Sequence, residues 1–134
     1  APPLRQVLLV LRRGSRSLLN EGAVLAALRA HAFSGGFTVR PALLERLPAR
    51  EQLRLVLQSR AMAGVHGQGL AWVALLPADK APCGLLEIYP NGTHLLPDYT
   101  DAGWSGSNGV SFMRIFAAPR AARGKGCDAW HPRR

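Results

Sequence analysis

The residues of this chain with the greatest capacity for chemistry are arginines, a glycine-flanked histidine and a carboxylate, each at or near the end of an apolar run. They are Arg12, Arg13, Arg16, His66, Gly67, Gly69 and Glu87. Arginine donates paired hydrogen bonds to phosphate oxygens, and glycine lets backbone N–H groups approach a ligand closely. A carboxylate in the same binding site would accept hydrogen bonds from ribose hydroxyls. Together these residue types predict a site for a diphosphate-bearing ligand.

Each of these residues also has a purely structural interpretation. Arginines that follow a strand are often solvated surface charges, and Glu87 inside an apolar run is compatible with a paired structural carboxylate. His66 is the strongest candidate for ligand contact, because it stands between an apolar run and the Gly-Gln-Gly of residues 67–69. The Gly-x-Gly alone is a weak signal, since the dinucleotide-binding fingerprint needs a third glycine and residues 71–72 are Ala-Trp.

Alternating apolar and amphipathic segments indicate the elements that position these residues. Residues 7–11 form an apolar run typical of a strand buried in a parallel sheet. The spacing of apolar residues predicts an amphipathic helix over residues 21–31, with Asn20 as its N-cap. Residues 37–40 predict a second strand, which Pro41 limits in length. The three arginines therefore lie in the loop between the first strand and the first helix.

The same alternation continues towards the C-terminus. Pro48 stands near the start of a second helix, residues 61–65 and 85–89 predict two further strands, and residues 70–76 predict a short apolar helix. Residues 110–116 are compatible with a strand or a helix. Strands alternating with helices predict an α/β fold, a Rossmann-like parallel sheet with flanking helices. In such a sheet the ligand lies beyond the carboxyl ends of the strands, which is where the candidate residues stand.

Length and composition limit the class of protein further. The chain has 134 residues, of which 48% are hydrophobic and 19% charged, a mixture typical of a globular domain. Its two cysteines exclude a disulfide-rich scaffold and a four-cysteine zinc site. No apolar run approaches the ~18 residues of a membrane helix, and residues 1–6 lack the features of a signal peptide. We expect one domain at residues 1–116, with a motif-bearing core at 7–90, and a basic, flexible tail at 117–134. The chain looks like an excerpt of a longer protein.

The net charge of +9 is concentrated in two parts of the chain. Residues 1–60 hold ten basic and three acidic side chains, and residues 120–134 hold five basic and one acidic. Nucleic acid, acidic lipid and a phosphorylated small ligand are all compatible with this distribution.

Four motifs, taken in order and spacing, make the chain resemble glycosyltransferase family 61. They are Arg12-x-x-x-Arg16-x-x-x-Asn20-Glu21, Gln52 in the second predicted helix, Gly64-Val65-His66-Gly67-Gln68-Gly69-Leu70, and Glu87-Ile88-Tyr89-Pro90. The family includes lumenal O-linked N-acetylglucosamine transferases of animals and xylosyl- and arabinosyltransferases of plants. The resemblance covers residues 7–90. It implies one half of a two-domain GT-B fold, namely the C-terminal, nucleotide-sugar-binding half, with the acceptor-binding half missing from this chain.

The resemblance implies substrate-binding roles for a set of residues spread over the chain. They are Arg12, Arg16, Asn20, Gln52, His66, Gly67, Gly69 and Glu87. The two arginines would face the donor diphosphate, and Asn20 with Glu21 would fix the loop that presents them. His66 and the two glycines would line the diphosphate and the sugar, and Glu87 would hold the ribose. Gln52 would either support the site from the second helix or be structural.

The activity that the resemblance implies is transfer of a sugar from a nucleotide-sugar, expected to be a UDP-sugar, to a protein or polysaccharide hydroxyl with inversion. It implies no metal and no other cofactor, no nucleic-acid partner, and a location in the Golgi or endoplasmic reticulum lumen through a membrane anchor outside this chain. A glycosylation sequon at residues 91–93 is compatible with such a lumen. Gln68 departs from the alanine usual in the family, and no residue stands out as the catalytic base.

Two other functions compete with this interpretation. Residues 66–69 resemble the oxyanion loop of α/β-hydrolases, but the chain lacks the Gly-x-Ser-x-Gly elbow that carries their nucleophile. The positive charge favours a non-enzymatic module that binds nucleic acid, although few aromatic residues stand between the arginines to form a stacking platform.

Overall fold

The computed structural model of the protein describes residues 4–14, 17–89 and 110–116. Its centre is a sheet of five parallel strands in the order β2-β1-β3-β4-β5. The strands are β1 Gln6–Val10, β2 Thr38–Ala42, β3 Ala61–Val65, β4 Cys83–Tyr89 and β5 Val110–Phe116. Helix α1, Glu21–Ser34, follows β1, and helix α2, Ala49–Leu57, precedes β3. The prediction of a Rossmann-like α/β sheet is therefore confirmed.

Two short 3-10 helices complete the fold. Leu44–Arg46 follows β2, and Gln68–Leu75 joins β3 to β4 in place of a full crossover helix. Leu70–Leu76 was expected to be a short apolar helix because of its composition, and the 3-10 helix covers most of it. Both 3-10 helices begin just beyond the carboxyl ends of strands, so they contribute side chains to the same edge of the sheet.

Strand β2 contains a proline because the strand lies at an edge of the sheet. The sequence predicts that Pro41 limits this strand, yet β2 continues through Pro41 to Ala42. In a central strand every backbone N–H points towards a neighbouring strand, and proline has no N–H to donate. In an edge strand alternate positions point away from the sheet, and proline is tolerated there. Since β2 is the edge strand and pairs with β1, Pro41 is accommodated opposite Leu9.

The core lies between one face of the sheet and the elements α2 and Gln68–Leu75. Leu8, Val56, Met62 and Leu70 are fully buried there. Full burial of a side chain of this size contributes about 1.5–3 kcal/mol each relative to exposure. This packing fixes the carboxyl ends of β1 and β3 relative to the 3-10 helix that follows β3.

Helix α1 packs much less tightly. It begins after Asn20, as the sequence predicts, but the Asn20 side chain makes no capping hydrogen bond. The helix extends to Ser34, three residues beyond the predicted end, and stops before Gly35-Gly36, where Gly36 has a φ of +73°. No residue of α1 is buried. None of the helices in the described ranges is long and apolar enough to cross a membrane.

The strand order creates a crevice at one edge of the sheet. From β1 the chain moves to one side to form β2, and then crosses back over β1 to form β3. Right-handed crossovers in opposite directions send the connections to opposite faces, which opens a gap between the carboxyl ends of β1 and β3. Residues 110–116, compatible with a strand or a helix in sequence, form a strand parallel to β4. The sequon at residues 91–93 and the tail at 117–134 lie outside the described residues, and the domain limits stay a prediction.

Candidate functional site

The loops after β1 and β3 meet at the crevice between the carboxyl ends of these two strands. This crevice is the switch point of the sheet, where the chain reverses its direction across the strands. Arg12 lies two residues past the end of β1, and its Nη1 donates a hydrogen bond to the backbone carbonyl oxygen of His66 at 3.4 Å. His66 lies directly after β3, and its backbone N–H donates to the carbonyl of Ile88 at 2.8 Å. The guanidinium of Arg12 is thus placed beside the loop that carries the predicted diphosphate-binding residues.

Gly67 allows Arg12 to come this close. A Cβ added at Gly67 would overlap Nη1 of Arg12 and would stand 3.0 Å from its Cζ. At Gly69 an added Cβ would make an ordinary van der Waals contact, 3.4 Å from Cγ1 of Val10. The two glycines of the motif therefore differ, because the first makes room for a charged side chain and the second has no such constraint.

His66 is held by two neighbours on β4. Its Nδ1 lies 2.5 Å from Oε1 of Glu87, and its ring stacks on Tyr89 with a centroid distance of 4.7 Å. The Glu87 side chain is 0% exposed, whereas that of His66 is 19% exposed. A carboxylate bonded to Nδ1 fixes the orientation of an imidazole ring. Glu87 is thus the buried member of the pair and orients the ring of His66, and His66 is the member that reaches the surface.

A cleft of about 340 Å³ opens beside these loops. Arg12 and Gly69 line it together with Glu45, Gln52 and Trp72. Volumes of roughly 300–1,000 Å³ are typical of small-molecule sites. The cleft combines one guanidinium, one exposed carboxylate and one indole ring with apolar side chains of β1 and β3, which suits a ligand that is part charged and part ring.

Gln52 links three elements around the cleft. Its amide Nε2 donates to the backbone carbonyl of Leu47 at 2.9 Å, and its Oε1 accepts a hydrogen bond from the indole Nε1 of Trp72 at 2.8 Å. Both ends of the amide are therefore used to hold the wall of the cleft. Both interpretations that the sequence leaves open for Gln52, support of the site and a structural role, are compatible with these contacts.

The remaining predicted site residues lie farther from this centre or outside the described ranges. Arg13 forms an exposed ion pair with Glu21 at 2.6 Å, which ties the loop after β1 to the start of α1. Asn20 is exposed at the start of α1. Arg16 and the side chain of Gln68 lie outside the described part of the chain.

Trp72, Glu45 and Tyr89 are site residues that the sequence analysis did not select. Trp72 lies within a short apolar segment and Tyr89 at the end of an apolar strand, so both have the pattern of core residues. Glu45 lies close to the end of β2, where the carboxyl edge of the sheet is a general signal for a binding residue. That signal could have identified Glu45, whereas the hydrogen bond to Trp72 depends on a contact between distant segments.

No metal centre is formed by the described side chains. Among the residues of the ranges 4–14, 17–89 and 110–116, no three histidines, cysteines or acids lie together in a group that could hold a metal ion. Cys83 is a buried free thiol. The expectation that the site uses no metal stays a prediction.

The sheet order and the flanking helices define an open, Rossmann-like α/β fold with a crevice at its switch point. The family described as Glycosyltransferase 61 matches residues 2–82, which is more than half of the chain. The chain therefore belongs to glycosyltransferase family 61, and the protein is a transferase enzyme. The matched range includes Arg12, Gln52 and His66 and ends before Glu87. Among curated proteins, no relative matches the chain.

Proposed function

We propose that this chain binds the nucleotide-sugar donor of a glycosyltransferase, with a UDP-sugar as the donor, at the crevice between β1 and β3. The observation that carries the proposal is the meeting of Arg12 with the His66 loop beside a cleft of about 340 Å³. A diphosphate in this crevice would meet a guanidinium, a histidine and the backbone of a glycine-containing loop. These are the groups that bind phosphate oxygens most strongly in proteins.

Glu87 acts through His66 in this proposal. Because its carboxylate is fully buried and bonded to Nδ1, it is placed to orient the ring. The guanidinium of Arg12 and a ring N–H of His66 would both donate hydrogen bonds to the diphosphate. We propose this positioning role for Glu87 in place of the ribose contact that the resemblance implies. Arg16 keeps its proposed role of facing the diphosphate beside Arg12, and Asn20 keeps its proposed role of fixing the loop that presents the two arginines.

The proposed reaction is a displacement with inversion at the anomeric carbon. The oxygen of an acceptor hydroxyl attacks that carbon, its proton passes to a base, and the bond from the sugar to the diphosphate oxygen breaks with its electron pair. Negative charge then grows on the leaving nucleoside diphosphate. Arg12 and His66 stabilise this charge where the transition state needs it, which lowers the barrier more than uniform binding does.

The partners and location follow the family. We propose a protein or polysaccharide hydroxyl as the acceptor, an acceptor-binding half that completes a GT-B enzyme, and action in the Golgi or endoplasmic reticulum lumen. Support for the location is the family membership. No cofactor is needed for a displacement of this kind when basic side chains stabilise the leaving group.

Calorimetric titration with UDP, UDP-N-acetylglucosamine and UDP-xylose tests the proposal. We expect binding of at least one of them to the wild-type chain, and a loss of at least about tenfold in Arg12→Ala and in His66→Ala, since a hydrogen bond to a charged group contributes about 1.5–3 kcal/mol. Arg13→Ala is the matched control, because Arg13 is a neighbouring arginine committed to Glu21. Equal losses in Arg12→Ala and Arg13→Ala, or no binding at all, would overturn the proposal.

A short RNA in the same titration separates the competing function. Binding to a nucleic-acid backbone weakens steeply as salt rises, because it depends on the release of counterions. RNA binding of that kind, indifferent to His66→Ala and without binding of any uridine nucleotide, would favour a basic nucleic-acid module instead.

A further inference from the structure

Trp72 forms a wall of the cleft, and its orientation is fixed by a dedicated hydrogen bond. The indole Nε1 donates to Oε1 of Gln52 at 2.8 Å, and the amide of Gln52 is itself anchored on the carbonyl of Leu47. Trp72 and Arg12 line the same cleft, whose volume is about 340 Å³. A ring and a guanidinium thus share one concave surface.

Packing alone does not account for this arrangement. Trp72 packs against the core, yet it remains half-buried and lines a cleft, whereas Leu70 and Val73 of the same 3-10 helix are buried. An indole that is held at its N–H and lines a cavity presents an apolar surface of fixed orientation at little cost in side-chain entropy on binding. Flat or partly apolar rings are the ligands that such a surface selects.

We propose that Trp72 stacks against a ring of the nucleotide-sugar, while Arg12 binds its diphosphate, and that Gln52 is the positioning residue that holds the indole in place. This inference rests on the proposed function, since it assumes a nucleotide-sugar in the cleft. The ring is either the nucleobase or the pyranose, and both offer a face for stacking on an aromatic side chain. Trp72 thereby determines whether the site prefers the whole donor to a bare diphosphate.

Titration of the 134-residue chain with three probes tests the inference. Pyrophosphate carries the phosphates alone, UDP adds the base and ribose, and UDP-N-acetylglucosamine adds the sugar ring. Because stacking of a base on an aromatic side chain is worth about 1–3 kcal/mol, we expect Trp72→Ala to weaken the stacked probes at least about fivefold. Pyrophosphate affinity should stay within about twofold of wild type. Leu75→Ala is the matched control, because Leu75 is an exposed apolar residue of the same 3-10 helix.

The outcomes separate the two rings and the two proposals. If Trp72→Ala loses equal affinity for UDP and for UDP-N-acetylglucosamine, Trp72 stacks on the base. If it loses affinity for UDP-N-acetylglucosamine alone, Trp72 stacks on the sugar ring. Unchanged affinity for both, with the wild-type chain binding them, overturns the role of Trp72 and leaves the proposed function standing. Failure of the wild-type chain to bind any uridine nucleotide overturns the proposed function and this inference with it.

Fluorescence gives a second readout that does not depend on removing the ring. The chain has three tryptophans, and Trp104→Phe with Trp130→Phe leaves Trp72 as the sole indole. We expect UDP or UDP-N-acetylglucosamine to shift or quench its emission, and pyrophosphate to do so much less. Gln52→Ala should reduce the affinity for the stacked probe and leave pyrophosphate unchanged, whereas a general loss of structure would weaken all three probes. An emission that no uridine nucleotide changes, despite measured binding, contradicts the stacking.

Discussion

The fully buried carboxylate of Glu87 on β4 lies 2.5 Å from Nδ1 of His66, whose side chain is partly exposed in the loop after β3. The two residues are 21 positions apart in the chain and meet because β3 and β4 are neighbouring parallel strands. A buried charge is stable only when it is hydrogen-bonded or paired, so this contact couples the fold of the sheet to the state of the site.

Replacing Glu87 with glutamine should destabilise the protein while keeping the shape of the side chain. We expect Glu87→Gln to lower the free energy of unfolding by about 1–3 kcal/mol, because a buried charge-assisted hydrogen bond is lost. Glu21→Gln is the control, since Glu21 belongs to a partly exposed ion pair and such pairs contribute about 0–1 kcal/mol. Urea unfolding followed by circular dichroism measures both, and equal effects of the two substitutions would contradict a special role for the buried carboxylate.

Alanine at Gly67 should damage binding and spare the fold. The added Cβ overlaps the end of the Arg12 side chain, which can swing away, so we expect stability within about 1 kcal/mol of wild type and a loss of UDP affinity similar to that of Arg12→Ala. Gly69→Ala is the control, because its Cβ makes an ordinary contact. Normal UDP affinity in Gly67→Ala would show that Arg12 does not need its position beside His66.

Alanine at Gly64 should have the opposite effect. Here the added Cβ would lie 2.9 Å from the backbone oxygen of Val10 and 3.2 Å from Cδ2 of Leu70, and the backbone of a central strand cannot move aside. We expect a loss of about 1–3 kcal/mol, typical of overpacking in a core. Thermal unfolding checks this, and a melting temperature equal to that of wild type would contradict it.

The two helices should contribute unequally to stability. Leu55 of α2 is 5% exposed, so Leu55→Ala should cost about 2–5 kcal/mol. Leu28 of α1 is half-buried in a helix without a buried residue, so Leu28→Ala should cost less than half as much. Denaturant unfolding of both variants measures the difference. An equal or larger cost at Leu28 would mean that another part of the protein covers α1 in solution.

The thiol of Cys83 should react slowly in the folded protein. Burial raises its pKa, the nearby Arg60 opposes this rise, and Asp79 adds to it. Because the thiolate is the reactive form, a raised pKa leaves less of it at neutral pH. In a Cys127→Ser background we expect labelling by iodoacetamide to be slow in buffer and fast in urea. Rapid labelling in buffer would show that β4 opens readily at its start.

Much of the fold could be predicted from local patterns. Apolar runs mark β1, β3 and β4, with Glu87 as the charged exception in β4, and the helical spacing of leucines and valines marks α1 and α2. Burial on one or both faces sets these periods. The predicted C-terminal end of β2 was wrong, because the energetic cost of Pro41 depends on whether the strand is central or at an edge of the sheet. The three extra residues of α1 reflect a helix that continues until Gly35-Gly36 ends it.

The site could be predicted in part. The rule that ligands bind beyond the carboxyl ends of parallel strands points to Arg12 and His66, and the structure brings these two together. The sequence does not reveal that Gly67 makes room for Arg12, that Gln52 holds Trp72, or that Glu87 bonds to His66. Each of these contacts joins residues more than 15 positions apart, so it depends on which elements the sheet and helices place side by side.

The sequence by itself determined the types of residue and their local periods, and from these the α/β class and the positions of most elements. Those properties depend on hydrophobic burial and on backbone preferences, which act over a few residues. Only the tertiary structure decided which loops meet at the switch point. It also decided which side chain of each contacting pair, such as Glu87 and His66, is buried and which is exposed. Those properties depend on the strand order and on packing between distant segments, because a buried group must find its partner wherever the fold places one.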